Sequence, residues 1–295
     1  MEAVALEQTL REHPDDLASW LVYGDWLLER GDVRGALIQL EHRHARARAA
    51  DRAALRREID ELVKQHQRRW SRALPKGVAV KQWKHGFPTK IAVTWDEDAP
   101  ARIERALGER FVSALRIAAP EVEDGDADDL DEDGEPVPVP LVEIGALASI
   151  DLSGLVELDL SYVNLGAPGA EALAASATLG RLEVLDLRYC GIGDRGLAAL
   201  AGAATLGNVR RLHLQRNALT AKGARALQRF ERLVELDLRY NDLGAAGARA
   251  LLEAPFIDKL ARLELYRGDV SDKGARELAS SSRLPPALRS YWRSV

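Results

Sequence analysis

The stretch Leu182-Glu-Val-Leu185-Asp-Leu187-Arg-Tyr-Cys190-Gly-Ile-Gly-Asp-Arg-Gly196-Leu-Ala-Ala-Leu200 changes its period half-way. Up to Leu187 the leucines stand two apart, which puts Leu185 and Leu187 on one face of a short strand. From Gly196 onward, small residues and leucines at helical spacing take over. The same ruler recurs along the second half of the chain. Its heads begin at Leu155, Leu182, Val209, Leu233 and Leu260, stepping by 27, 27, 24 and 27 residues. In every copy the second leucine is followed 11 residues later by a glycine and 15 later by a leucine, as in Gly169/Leu173, Gly223/Leu227, Gly247/Leu251 and Gly274/Leu278. The short step arises from a gap of 6 instead of 9 after Leu227, so the variable length lies behind the helix. One strand and one helix cannot bury their apolar faces alone, so consecutive units stack and share a core, and the pattern predicts a solenoid. The small residues of Gly223-Ala-Arg-Ala-Leu227 and Gly247-Ala-Arg-Ala-Leu251 suit helices lying close to their neighbours.

On these residues the second half resembles leucine-rich repeats. Its helical length and Gly-Ala-x-x-Leu element are similar to the ribonuclease-inhibitor type. The resemblance implies an α/β leucine-rich-repeat solenoid, with parallel strands on a concave face and helices on a convex face. The position that the family gives to Asn or Cys reads Val163, Cys190, Asn217, Asn241 and Gly268. The inward hydrogen-bond ladder is therefore expected at the three middle units and open to question at both ends.

A small helical module is expected in front. His13-Pro14-Asp15-Asp16 offers a helix start, with Leu17, Trp20, Leu21, Trp26 and Leu27 at helical spacing behind it. Arg30-Gly31-Asp32 supplies a turn, and a second helix begins at Gly35. That triplet also spells a cell-adhesion motif, but a helix–helix turn is the wrong context for one. Residues 13–40 resemble a short bacterial repeat-companion domain found ahead of leucine-rich repeats, on Pro14, Asp15, Asp16, Leu21, Val22, Tyr23, Asp25, Trp26, Leu27, Glu29, Arg30, Gly31, Asp32, Arg34 and Gly35. Gly24 and Ala36-Leu37 depart from that motif, and the likeness carries architecture but no chemistry.

The expected organisation is a helical module over 1–74, an α/β connection and N-terminal cap over 75–120, an acidic and Pro-rich linker over 121–140, and the solenoid with its C-terminal cap over 141–295. In the connection, Val78/Val80 and Ile91/Val93/Trp95 alternate as strands, 99–107 reads as a helix, and Val112-x-x-Leu115-x-Ile117 repeats the solenoid head as a degenerate unit. Leu284-Pro-Pro-Ala-Leu288, with Tyr291 and Trp292, is expected to close the far end.

Composition bounds the function. A net charge of -5 argues against a general nucleic-acid binder, and a single cysteine rules out an intramolecular disulfide framework. No basic leader precedes an apolar stretch and no segment has the length of a membrane span, so a cytoplasmic protein is expected. Residues 42–72 carry an excess of Lys and Arg over an apolar stripe of Leu55, Ile59, Leu62 and Val63, which reads as a solvated helix face. Nucleic-acid recognition there would want interleaved aromatics, and only Trp70 is near. Residues 121–135 hold ten acids in fifteen. Asp124, Asp126, Asp128 and Glu135 have the spacing of a calcium loop, but Asp129 stands where the loop needs glycine. His42 and His44 face opposite sides of a helix, and no metal or other cofactor is expected.

The register also names a candidate surface. Counting from the first leucine, positions 4 and 6 point inward while 3, 5 and 7 line the exposed strand face. Position 5 gives Asp159, Asp186, His213, Asp237 and Glu264; beside it, positions 7 and 8 supply Arg188, Arg239 and Tyr266, and Tyr162, Tyr189, Arg216, Tyr240 and Arg267. With Arg211 from position 3, these form an acidic column beside a column of tyrosine and arginine, the residues enriched where proteins bind. Cys190 should turn inward while His213 faces out, so no nucleophile–base pair is expected. The expectation is a non-enzymatic adaptor, monomeric or part of a hetero-complex, that docks a partner protein or peptide on the concave face. The alternatives are a recognition subunit of an enzyme complex, or a nucleic-acid accessory protein using the 42–72 helix.

Overall fold

The computed structural model describes residues 3–120 and 141–294. The acidic tract, with its calcium-loop spacing, and the proline run that follows it lie outside the described residues. The chain divides into two compact units, Met1–Ala92 with Arg105–Ser113, and Val93–Glu104 with Ala114–Val295.

The first unit opens with helices α1 (Ala3–Glu12), α2 (Leu17–Leu28), α3 (Arg34–Arg46) and α4 (Ala49–Ser71). Asp16 starts α2 as expected, its carboxylate accepting from the amides of Ala18 and Ser19. The Arg30-Gly31-Asp32 turn is spoken for internally: Gly31 has φ 70°, and Asp32 holds both the amide and the guanidinium of Arg34. Where α2 meets α3, a side chain on Gly35 would stand 2.3 Å from the carbonyl oxygen of Gly24, so only glycine permits this approach. Strands β1 (Val78–Lys84) and β2 (Phe87–Thr94) are joined by His85-Gly86, both left-handed, as a tight hairpin demands. Phe87 and Phe111 enter one core with Leu10, Trp20, Tyr23 and Leu27, and Trp83 packs with Trp70 under α4. The boundary expected at 74/75 therefore does not separate the units, because the hairpin supplies core side chains to the helices before it. Leu17, taken from its spacing for the apolar face of α2, is exposed, whereas Tyr23 is fully buried with its hydroxyl held by Glu7 and Arg110.

Helix α5 (Ala99–Leu107) follows, and then strand β3 (Ala114–Ala118). The second unit continues as β4 (Glu157–Asp159), α6 (Gly166–Ala174), β5 (Val184–Asp186), α7 (Gly193–Gly202), β6 (Arg211–His213), α8 (Ala221–Ala226), β7 (Glu235–Asp237), α9 (Gly244–Glu253), β8 (Arg262–Glu264), α10 (Arg267–Ser280) and α11 (Pro286–Ser294). Strands β3 to β8 pair in sequence order, all parallel, with Leu115, Leu158, Leu185, Leu212, Leu236 and Leu263 in one register. Leu115 thus stands opposite Leu158, where the degenerate head pattern assigned it. These leucines are buried between the sheet and the helices, and one strand plus one helix per unit is the α/β solenoid expected.

The ruler has physical causes. Two of the helical glycines sit where neighbouring helices nearly touch: a Cβ on Gly196 would lie 2.8 Å from that of Ala170, and one on Gly274 3.0 Å from that of Ala248, whereas at Gly169 and Gly247 it would meet Leu165 and Leu243 of the same unit at 2.8 and 2.6 Å. The 24-residue unit is short behind its helix: α8 runs straight into the 3-10 turn Leu227–Arg229, and the separate 3-10 turn that follows α7 and α9, Ala204–Leu206 and Ile257–Lys259, has no counterpart before β7. The start of α8 is capped from the unit before: Asp194 of α7 accepts from the amides of Thr220 and Gly223 and from the Thr220 hydroxyl.

Inside, Asn241 Oδ1 accepts from the amides of Asn217 and Leu219, while its Nδ2 donates to the carbonyls of Leu214 and Leu238. Asn217 repeats this towards Ile192 and Leu187. The Cys190 thiol donates to the carbonyl of Leu160. At the last unit, where Gly268 has no side chain, Asp269 takes the acceptor role for the amides of Tyr266, Tyr240 and Asn241. The ladder thus continues through a residue one place further on. Val163, at the other end, is buried and its amide bonds to Leu160.

Candidate partner-binding face

The strand side of the second unit is built in two tiers. The lower tier is the position-5 column, and it is not the exposed acidic stripe expected from the register. Asp159, Asp186 and Asp237 are 7, 7 and 5% exposed. Each carboxylate bends back to accept the amide two residues on, from Ser161, Arg188 and Arg239. An aspartate at the end of a three-residue strand closes the following turn in this way, a local bond that Asp forms readily. The spacing in Asp159-Leu-Ser161 and Asp186-Leu-Arg188 fits such a turn as well as it fits strand alternation.

Arginines then cover the acids. Arg188 folds onto Asp186 at 2.6 Å, and Arg239 reaches both Asp237 and Glu264 at 2.6 Å. Position 3 joins in: Arg262 pairs with Glu235 at 3.5 Å and with Glu264. Arg116 of β3, in register with Asp159, approaches its carboxylate at 3.9 Å. His213 sits between carboxylates, Nδ1 at 3.5 Å from Asp186 and Nε2 at 3.3 Å from Glu235. The bond to Asp186 raises the imidazole above its ordinary value, burial works against it, and Glu235 adds to the rise. Burial would raise the Asp186 carboxyl, but hydrogen bonds from His213 and Arg188 outweigh it and bring it down to about 2. Arg211 and Arg216, both from the β6 unit, are the exceptions: among the described residues neither has an ion pair.

The upper tier is position 8. Tyr162, Tyr189, Arg216 and Tyr240 have φ of 65, 57, 51 and 58°, all left-handed. The amides of Tyr162, Tyr189 and Arg216 donate to the carbonyls of Arg188, Gln215 and Arg239, so the parallel ladder extends to position 8 and keeps the column aligned. The backbone turn sends position 9 inward to the asparagine ladder and position 8 outward. Tyr162 and Tyr240 are more than half exposed. Tyr162 stacks on Tyr189 at 4.6 Å, the Arg216 guanidinium lies 5.6 Å from the centre of the Tyr189 ring, and Tyr240 meets Tyr266 edge-on at 5.0 Å. The column ends there: Arg267, expected to continue it, is the first residue of α10 and bonds to Asp272 instead.

The groups considered for chemistry are apart. Burial pushes the Cys190 thiol up to about 12 and its proton is given to Leu160, whereas His213 is held by Asp186 and Glu235. Among the described residues no cluster of His, Cys, Asp and Glu could hold a metal ion. Nor is any described helix long and apolar enough to cross a membrane.

Segments 155–174, 182–201, 208–227 and 233–252 match the family model described as Leucine Rich repeat. These four units are similar to leucine-rich repeats. The strands β3 and β8 lie outside the matched segments but continue the same parallel register, which extends the leucine-rich-repeat sheet by a strand at each end. Leucine-rich repeats in general mediate contacts between proteins. No curated protein matches the chain.

Proposed function

We propose that this chain is a non-enzymatic adaptor that docks a partner protein or peptide on the strand side of its leucine-rich repeats, from Tyr162 to Tyr266. One observation carries the reading. Four successive repeats hold a tyrosine or arginine in a left-handed backbone where glycine or asparagine would be less strained, and the side chains so projected form an aromatic–guanidinium row. An L-residue there costs about 1–2 kcal/mol, and such strain gathers where a side chain has work outside the fold. The charged tier beneath is largely self-paired, so affinity would come from the row above it and from Arg211 and Arg216. The partner this suits presents apolar or aromatic groups to the tyrosines and a carboxylate to the two arginines of the middle repeat. In this reading the repeats are ribonuclease-inhibitor-like and residues 1–74 are a bacterial companion module, in a cytoplasmic protein. The buried, proton-donating Cys190 and the carboxylate-bound His213 favour binding over catalysis.

The test is affinity capture from a host lysate, comparing the wild-type chain with the Tyr189→Ala/Arg216→Ala/Tyr240→Ala variant by mass spectrometry. Hot-spot residues each contribute about 2 kcal/mol or more, so a partner retained by wild type should be lost from a variant whose circular dichroism is unchanged. Equal retention by both would remove the strand side as the docking face.

A further inference from the structure

Beside the first of the exposed tyrosines the second unit opens a cleft of about 500 Å³. Its walls are apolar, formed by Trp95, Pro100, Pro120, Leu141, Val142 and Tyr162. Leu141 and Tyr162 leave about half their surface in water, and the Trp95 indole is fixed by donating to the Glu143 carbonyl at 3.0 Å. A cleft of this size is large enough for one bulky side chain and its neighbours. Its rim is acidic. Asp96, Glu97 and Glu143 line it with no lysine or arginine among the lining residues. Arg102 occupies Asp96 at 2.6 Å, but Glu97 and Glu143 are exposed and have no ion pair among the described residues. Negative potential from the unpaired rim carboxylates of Glu97 and Glu143 draws cations to the cleft.

We infer that this cleft takes a large apolar side chain flanked by lysine or arginine, presented by an extended segment of a partner protein. The inference rests on the strand-side reading, because Tyr162 is both a wall of the cleft and the first member of the tyrosine row. A segment anchored here runs on over Tyr189 towards Arg211 and Arg216, about two strand spacings or roughly 10 Å away. A bound segment is thus basic and apolar at the cleft and acidic at the middle repeat, which orients it.

The experiment uses the full chain labelled with 5-fluorotryptophan, with the Trp95 fluorine resonance assigned by Trp95→Phe. Two capped tetrapeptides, Arg-Leu-Leu-Arg and Glu-Leu-Leu-Glu, are titrated in. The Trp95 resonance should shift saturably with the basic peptide, and binding should be at least about tenfold weaker for the acidic one. The Glu97→Lys/Glu143→Lys double variant, altered only at exposed side chains, should weaken the basic peptide by about tenfold as well. A flat Trp95 resonance, equal response to both peptides, or indifference to the double variant overturns the inference. So does a Trp95 shift produced by Pro136→Ser/Pro138→Ser/Pro140→Ser without any peptide response, which would assign the cleft to the chain's own proline run. The two readings fail separately: the capture experiment leaves the cleft untouched, and the titration leaves Tyr189, Arg216 and Tyr240 untouched.

Discussion

At Arg216 three effects of similar size meet. The left-handed backbone costs an L-residue about 1–2 kcal/mol. Glycine would remove that strain at an entropic cost of about 0.5–1 kcal/mol. It would also forgo an exposed cation–π contact worth about 0.5–1 kcal/mol. Arg216→Gly should therefore leave urea stability within about 0.5 kcal/mol of wild type. Asn241→Ala is the opposite case. It strands the amides of Asn217 and Leu219 and the carbonyl of Leu214 in the interior. At about 1–3 kcal/mol for each orphaned group, it should cost on the order of 3 kcal/mol or more. Urea midpoints of the two variants decide whether position 8 serves the surface and position 9 the fold. His213 adds a pH dependence. Its folded value is raised above the ordinary 6.5, so the stability it contributes is full below that pH and lost as pH rises through the raised value. A titration of its ring proton by NMR should show the raised value, and His213→Gln should flatten the fall in stability on the alkaline side. An unraised ring would overturn the pairing with Asp186 and Glu235.

At the scale of the element, packing rather than propensity governs the helix column. Alanine is the better helix former by about 0.8–1.0 kcal/mol, yet glycine recurs because a side chain would meet the helix before it at Gly196 and Gly274 and the unit's own Leu165 or Leu243 at Gly169 and Gly247. A Cβ on Gly196 would come within 2.8 Å of the Ala170 side chain and 3.3 Å of the Ala167 backbone, which cannot swing aside. Gly196→Val should thus cost at least about 1–3 kcal/mol in a chemical unfolding curve. The short α8 depends on its neighbour instead. Asp194→Ala removes the acceptor for the Thr220 and Gly223 amides and should cost about 0.5–2 kcal/mol. Each of these elements was legible in the repeat ruler, since strand and helix differ in period and the gap after Leu227 marked the short unit. The aspartate turns were not legible there, because a carboxylate at position 5 fits an exposed strand face as well as it fits a turn. Burial alone separates the two.

For the whole molecule, stability in a stack of repeats is shared between neighbours, so its ends matter more than their size suggests. In the second unit the C-terminal end is closed by α11, which buries Trp292, and by Arg283, which donates to the carbonyls of Leu252 and Ala254. Deleting residues 285–295 should expose the last repeat. Hydrogen exchange should then quicken first in β8 and α10, while the first unit keeps its protection. Uniform loss of protection would mean that the closing segment is not a local cap.

The sequence by itself determined the repeat unit, the inward leucines, the asparagine positions, the glycine column and the start of α2 at Asp16. All of these follow from local spacing, because the period of apolar residues decides which face of an element is buried before any neighbour is present. Only the tertiary structure decided which outward residues remain available. Asp186 and Asp237 leave the same face as the tyrosines, but arginines and a histidine from their own and adjacent strands close over them. The backbone turn at position 8 lifts Tyr162, Tyr189, Arg216 and Tyr240 clear of that layer. The cleft was equally out of reach of the sequence: Trp95 is tied to Ala118 and Glu143, and Val142 to Asn164, by hydrogen bonds that bring Trp95, Leu141 and Tyr162 together, and distance along the chain carries no trace of it.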